Sequence, residues 1–232
     1  MKTCLIKQPA GIGDVFYLQK FAKLIKSAGY DIIWPLQEEI LWIRDYISGI
    51  EFVSIDSRFP GKALFNSGQF SLEGEGFLYL SPDGFQLPGR RIMESKYLLI
   101  GQDDHDWYDY FEFERNIAKE EELYYNVLGL KDDSEYVFFN KYANTKNIKY
   151  GGLNDLSFDL PTIELEIKEG FTLFDWCKVF ENATEIHTVH TSINYVIDKL
   201  DIKAKKYFMY QGNHHSDVQY IPFFKNPTFV PN

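Results

Sequence analysis

The chain has 232 residues, 45% hydrophobic and 25% charged, enough for one large domain or two small ones around a substantial core. Its net charge is −10, with no basic stripe of any length, which argues against a general nucleic-acid binder. Two cysteines, Cys4 and Cys177, are too few for a disulfide framework or a four-thiolate zinc site.

Strand and helix patterns alternate from the start. Thr3–Lys7 reads as a buried strand, too short for a signal peptide. Apolar residues at Val15, Leu18, Phe21, Ala22, Ile25 and Ala28 have the spacing of one helix face, and Gly29 is a natural C-cap. A strand is expected at Asp31–Trp34, ended by Pro35, then a helix at Glu38–Ile47 and a strand at Glu51–Ile55. This β-α-β-α-β series argues for a parallel sheet with helices on its faces. Glycine-rich loops fill 57–76. A strand follows at Phe77–Leu80, then the turn Ser81-Pro82-Asp83-Gly84. Tyr97–Ile100 reads as another strand, and a long helix runs from about Asp109 to Leu128.

The polar stretch Lys131-Asp132-Asp133-Ser134-Glu135 marks an expected boundary between domains at 1–130 and 131–232. Residues 1–130 hold 13 Lys/Arg against 20 Asp/Glu, and residues 131–232 hold 11 against 14, so the halves carry −7 and −3. The second half suits an anionic ligand better. It restarts the alternation: strands at Tyr136–Asn140, Thr162–Ile167, Glu185–Val189 and Lys205–Tyr210, helices at Phe171–Phe180 and Ser192–Leu200. No segment reaches the roughly 18 apolar residues of a membrane span, so the expected location is the cytoplasm, or a host cytoplasm for a viral gene.

Two loops carry chemistry. Gly11-Ile12-Gly13-Asp14 joins a strand to a helix, a place where backbone N–H groups face an anion. It lacks the third glycine of a dinucleotide fingerprint and the Gly-Lys-Ser/Thr end of a P-loop. Asp14 is either a general base on a hydroxyl or an acid satisfying the helix start. In the second half, His190-Thr191-Ser192 also links a strand to a helix, and its hydroxyls and amides could hold a diphosphate or simply cap the helix. Lys141, after the first strand of that half, is a candidate phosphate counter-charge.

Taken together, these two strand–loop–helix segments resemble GT-B glycosyltransferases, most closely the ADP-heptose–lipopolysaccharide heptosyltransferase family. The matching residues lie at about 5–29, 136–142 and 183–200. The late loop carries His-Thr-Ser where that family shows Asp-Ser/Thr-Gly-type residues. The resemblance implies an α/β fold of two Rossmann-like β/α/β domains facing a cleft. It implies an acceptor on the N-terminal domain and a nucleotide-sugar on the C-terminal one. Asp14 becomes the candidate base beside Gly11 and Gly13, in an inverting, metal-independent transfer from a nucleotide-diphosphate sugar. Lys141, His190, Thr191 and Ser192 become candidate donor contacts. No cofactor is expected. The expected acceptor is a glycan or another hydroxyl, a modified nucleic acid included.

A rival signal is Asp104-His105-Asp106, which resembles the Asp-x-Asp metal motif of GT-A glycosyltransferases and would make the transfer metal-dependent. A third reading is a non-catalytic nucleotide-sugar-binding module. His214, His215 and Asp217 read as a surface loop, and His187 as a residue pointing into the fold.

Overall fold

A computed structural model describes residues 2–66, 68–74, 76–143, 148–149, 156–210 and 227–230. The chain forms two compact units, Met1–Glu114 and Arg115–Asn232. The break falls between Glu114 and Arg115, ahead of the polar stretch at 131–135.

In the first unit the elements run β1 (Lys2–Ile6), α1 (Ile12–Tyr17), α2 (Gln19–Ser27), β2 (Tyr30–Leu36), a 3₁₀ segment (Glu38–Asp45), β3 (Glu51–Ser54), α3 (Lys62–Phe65), β4 (Ser71–Gly74), β5 (Phe77–Leu80) and α4 (Ile92–Leu98). The sheet order is β3-β2-β1-β5-β4, parallel except for β4. β1 is central, and its Cys4, Leu5 and Ile6 are fully buried. Leu5 packs with Ile33, Phe59, Phe65 and Tyr79. The helix read from the apolar stripe is present as α1 and α2. Backbone bonds run through the junction, from Leu18 N–H to the Asp14 carbonyl at 2.9 Å and from Ala22 N–H to the Leu18 carbonyl at 3.0 Å. Val15, Phe16, Leu18 and Phe21 are fully buried, each contributing roughly 1.5–3 kcal/mol by burial.

Three sequence expectations are corrected here. Pro35 does not end β2, which continues to Leu36. The last β2 residue paired with β1 is Ile33, so Pro35 lies where only β3 is a neighbour and its missing N–H costs less. Tyr97–Ile100 is not a strand, because Tyr97 and Leu98 belong to α4. Its apolar run is not uniformly buried: Tyr97 is enclosed and Leu98 is 39% exposed. The long helix expected over 109–128 is divided. A 3₁₀ turn covers Trp107–Tyr110, and burial then alternates residue by residue from Phe111 to Asn116, the pattern of extended chain. Helix α5 (Ile117–Glu121) begins only after Asn116, whose side-chain oxygen accepts from Lys119 N–H at 3.2 Å.

The second unit starts with α5, which continues into a π-helical segment (Glu122–Val127). Then come β6 (Val137–Asn140), the short antiparallel pair β7 (Tyr142–Ala143) and β8 (Ile148–Lys149), β9 (Thr162–Glu164), a 3₁₀ turn (Leu173–Trp176), α6 (Cys177–Asn182), β10 (Glu185–Val189), α7 (Ile193–Asp198), β11 (Lys206–Tyr210) and β12 (Thr228–Val230). The main sheet, β12-β11-β10-β6-β9, is parallel throughout. Counted within the unit, that is strand order 2-1-3-4-5, a doubly wound arrangement. A capping box between Thr172 and Asp175 starts the 3₁₀ turn that leads into α6. Arg115 ties the unit's first helix to α6, bridging Glu120 and Glu181. No helix among the described residues is long and apolar enough to cross a membrane.

Candidate functional site

Open α/β sheets bind ligands beyond the carboxyl ends of strands, where the strand order reverses. In the first unit this point lies between β1 and β5, and in the second between β6 and β10. The two loops singled out from the sequence sit at these two places.

In the first unit the loop after β1 is pinned on both sides. Lys7 N–H donates to the Leu80 carbonyl at 2.8 Å, Asp83 N–H to the Lys7 carbonyl at 3.1 Å, and Gln37 N–H to the Pro9 carbonyl at 2.8 Å. Gly11 is the N-cap of α1 with φ +85°, a conformation that L side chains rarely adopt. Gly13 lies inside α1, one residue before Asp14. The Asp14 carboxylate folds back over Gly11, where an added Cβ would stand 2.4 Å from Asp14 Oδ2. Asp14 Oδ1 accepts a hydrogen bond from Lys96 Nζ at 2.5 Å. The Lys96 side chain is 6% exposed and that of Asp14 is 30% exposed. Lys96 Nζ also donates to Gln8 Oε1 at 2.7 Å, and Gln8 Nε2 donates to the Ala10 carbonyl at 2.8 Å. The Gln8 carbonyl accepts from Trp34 Nε1 at 2.9 Å. The result is a carboxyl group at the mouth of a switch point, with one oxygen tethered and the other lying over a residue without a side chain.

Asp104 and Asp106 are used differently. Asp104 Oδ2 accepts from the Tyr17 hydroxyl, and Asp104 Oδ1 from Arg91 at 3.2 Å. Asp106 is paired with Lys20, whose Nζ also donates to the Asp103 carbonyl at 2.9 Å. The Lys20 ammonium holds the Asp106 carboxyl below the usual carboxylate range. These acids fasten their turn to α1, α2 and the start of α4. Among the described residues, no group of three or more His, Cys, Asp or Glu is arranged to hold a metal ion.

In the second unit, Asn140 on β6 stands in register with Thr188 on β10, so the loops after both strands are neighbours. Lys141 leaves β6 with its Nζ 3.2 Å from Glu164 Oε2 and 5.8 Å from the Phe139 ring centroid. His190, Thr191 and Ser192 are half-buried. His190 N–H donates to the Tyr210 carbonyl at 3.0 Å. Ser192 is the N-cap of α7 but makes no side-chain cap. Asn194 instead reaches back from the first turn, its Oδ1 accepting from Thr191 N–H at 2.7 Å. The fully buried Asn194 also donates to Thr188 Oγ1 at 2.5 Å and to the Tyr207 hydroxyl at 2.8 Å. The Thr191 amide is therefore already engaged, and the free donors expected at this turn are one fewer.

His187 lies in the fold, as its position on β10 suggests. Its Nδ1 is 2.9 Å from the Tyr210 hydroxyl, and its ring packs against Phe158 and Phe208. Burial holds its pKa below the ordinary histidine value. His214, His215 and Asp217 lie outside the described residues.

Sequence reasoning missed Lys96, Gln8, Asn194 and Glu164. The one signal for Asn194 is a polar residue at a position of α7 that the apolar pattern buries. Lys96 gives a similar signal, a charge beside the enclosed Tyr97.

No family model and no curated protein matches the chain. Solved structures do. A glycosyl transferase family 9 protein from Veillonella parvula is 10% identical, with TM-score 0.55, covering 100% of this chain and 86% of its own. The E. coli heptosyltransferase WaaC with ADP is 13% identical, with TM-score 0.43, covering 100% and 90%. The same enzyme with ADP-2-deoxy-2-fluoro heptose is 14% identical, with TM-score 0.47, covering 99% and 93%. The chain shares its α/β fold of two Rossmann-like units with the first of these.

Proposed function

We propose that the protein is a glycosyltransferase that moves a sugar from a nucleotide-diphosphate donor to an acceptor hydroxyl, with inversion and without a metal. Asp14 is the general base. The acceptor oxygen attacks the anomeric carbon, and its proton passes to Asp14. The anomeric C–O bond breaks on the opposite face, and the nucleotide diphosphate departs with the electron pair. The observation that carries this reading is the Asp14 carboxylate at the β1 switch point, over Gly11, in a fold shared with a glycosyl transferase family 9 protein.

On the donor side, Lys141 supplies positive charge, and His190, Thr191 and Ser192 supply polar contacts to the diphosphate. The Lys141–Glu164 pair is partly exposed, with side chains 22% and 38% accessible, so its net worth is at most about 1 kcal/mol. A diphosphate can compete with Glu164 for Lys141 at little cost in that pair.

The test is release of nucleotide from ADP-heptose, ADP-glucose, UDP-glucose, UDP-N-acetylglucosamine and GDP-mannose, with glycan acceptors, with and without a chelator. Acceptor-dependent release that survives chelator supports the reading. Release abolished by chelator moves the reaction to a metal-dependent transferase. Binding of a donor with no release for any acceptor makes the protein a binding module.

A further inference from the structure

Lys96 is nearly enclosed, and enclosing an ammonium costs several kcal/mol unless partners replace its water. It has two named partners with different roles. Gln8 Oε1, at 2.7 Å, is neutral and is itself held by the Ala10 carbonyl, so it fixes where the ammonium sits. Asp14 is the one carboxylate within 4 Å of that ammonium among the described residues. The ammonium in turn fixes Asp14 Oδ1. With Oδ1 held and Oδ2 over Gly11, rotation of the carboxylate about its last bond would break the Lys96 contact.

We propose that Lys96, set in place by Gln8, is the positioning residue for Asp14, holding Oδ1 so that Oδ2 is presented to the acceptor hydroxyl. This rests on the reading of Asp14 as the base. In the step, the acceptor proton goes to Oδ2 while the acceptor oxygen bonds to the anomeric carbon and the diphosphate leaves with its electron pair. Lys96 takes no part in the proton transfer. A misplacement near 1 Å at a reacting atom costs on the order of 100-fold in rate, so the tether has a measurable consequence.

The experiment compares Lys96→Met and Lys96→Arg with wild type, each also combined with Asp14→Asn, on the donor of the panel above that turns over fastest. Thermal unfolding establishes that each variant folds. The expected result is a fall of about 10- to 100-fold in kcat for Lys96→Met with donor KM within twofold. Lys96→Arg should recover part of the loss, and Lys96→Met should add nothing in the Asp14→Asn background, since the effect passes through Asp14. A folded Lys96→Met with wild-type kcat overturns the proposal, as do losses that multiply in the double variant. If Asp14→Asn itself retains full turnover, the base assignment fails instead. Crystal structures of wild type and of a folded Lys96 variant test the positioning even if no donor is turned over. An Asp14 carboxylate that rotates off its wild-type position in Lys96→Met supports the proposal, and one that stays in place overturns it.

Discussion

Gly11→Ala places two separable loads on the first unit. The backbone at Gly11 has φ +85°, and a non-glycine residue held in such a region costs on the order of 1–3 kcal/mol. For a unit of this size each kcal/mol lowers Tm by about 4 °C, so a drop of roughly 4–12 °C follows from the backbone alone. The second load is local. The new Cβ would stand 2.4 Å from Asp14 Oδ2, well inside van der Waals contact, and the carboxylate must move by roughly 1 Å to clear it. If that carboxylate takes the acceptor proton, kcat falls by about 100-fold. Gly29→Ala separates the two loads, because Gly29 has φ +91° and nothing within 4 Å of its added Cβ. It should lose comparable stability and keep its turnover. The assay is differential scanning calorimetry beside nucleotide release, below both melting transitions. A Gly11→Ala protein as active as Gly29→Ala would refute the reasoning.

Other outcomes follow from the same contacts. Arg115→Met strips the partner from Glu120, whose side chain is 1% exposed, and should cost about 3 kcal/mol in chemical denaturation. A loss under about 1 kcal/mol would contradict this account of the latch. Burial pushes the Cys4 thiol up to about 12 and raises Cys177 as well. At pH 8 only about one Cys4 in ten thousand is thiolate, so a disulfide reagent should leave the native protein unlabelled and titrate both cysteines after unfolding. Rapid native labelling would show the thiols to be reachable. His187 has a folded pKa below its ordinary 6.5, so in the range just under pH 6.5 the unfolded chain binds more protons than the folded one. Stability of the second unit should therefore fall as pH drops below about 6.5, and His187→Phe should remove that slope while keeping the ring contacts with Phe158 and Phe208.

Buried parallel strands were readable because short continuous apolar runs such as Cys4-Leu5-Ile6 suit strands covered on both faces. The two strand–loop–helix turns were readable for a related reason, since a strand that enters a helix through glycine or hydroxyl residues has few alternatives. The stretch from Arg91 to Asn116 was not. Its aromatic residues fit a helical period as well as an extended one, and what decides is the stack of Phe111 on Phe16, 95 residues earlier, at 4.6 Å between centroids. The cations paired with the acids at 103–106, Lys20 and Arg91, come from other elements, so nothing beside those acids announced them. The same distance hid the Lys96 partner of Asp14. Ionic partners carry no periodicity, so pairs this far apart leave no trace in a local reading.

The most direct measurement of the central claim is single-turnover transfer by Asp14→Asn beside wild type, at saturating donor and acceptor. Donor affinity should stay within twofold of wild type and the transfer rate should fall by about 100- to 10,000-fold, the loss of a general base with the site otherwise intact. A folded Asp14→Asn protein that transfers sugar at the wild-type rate would contradict it.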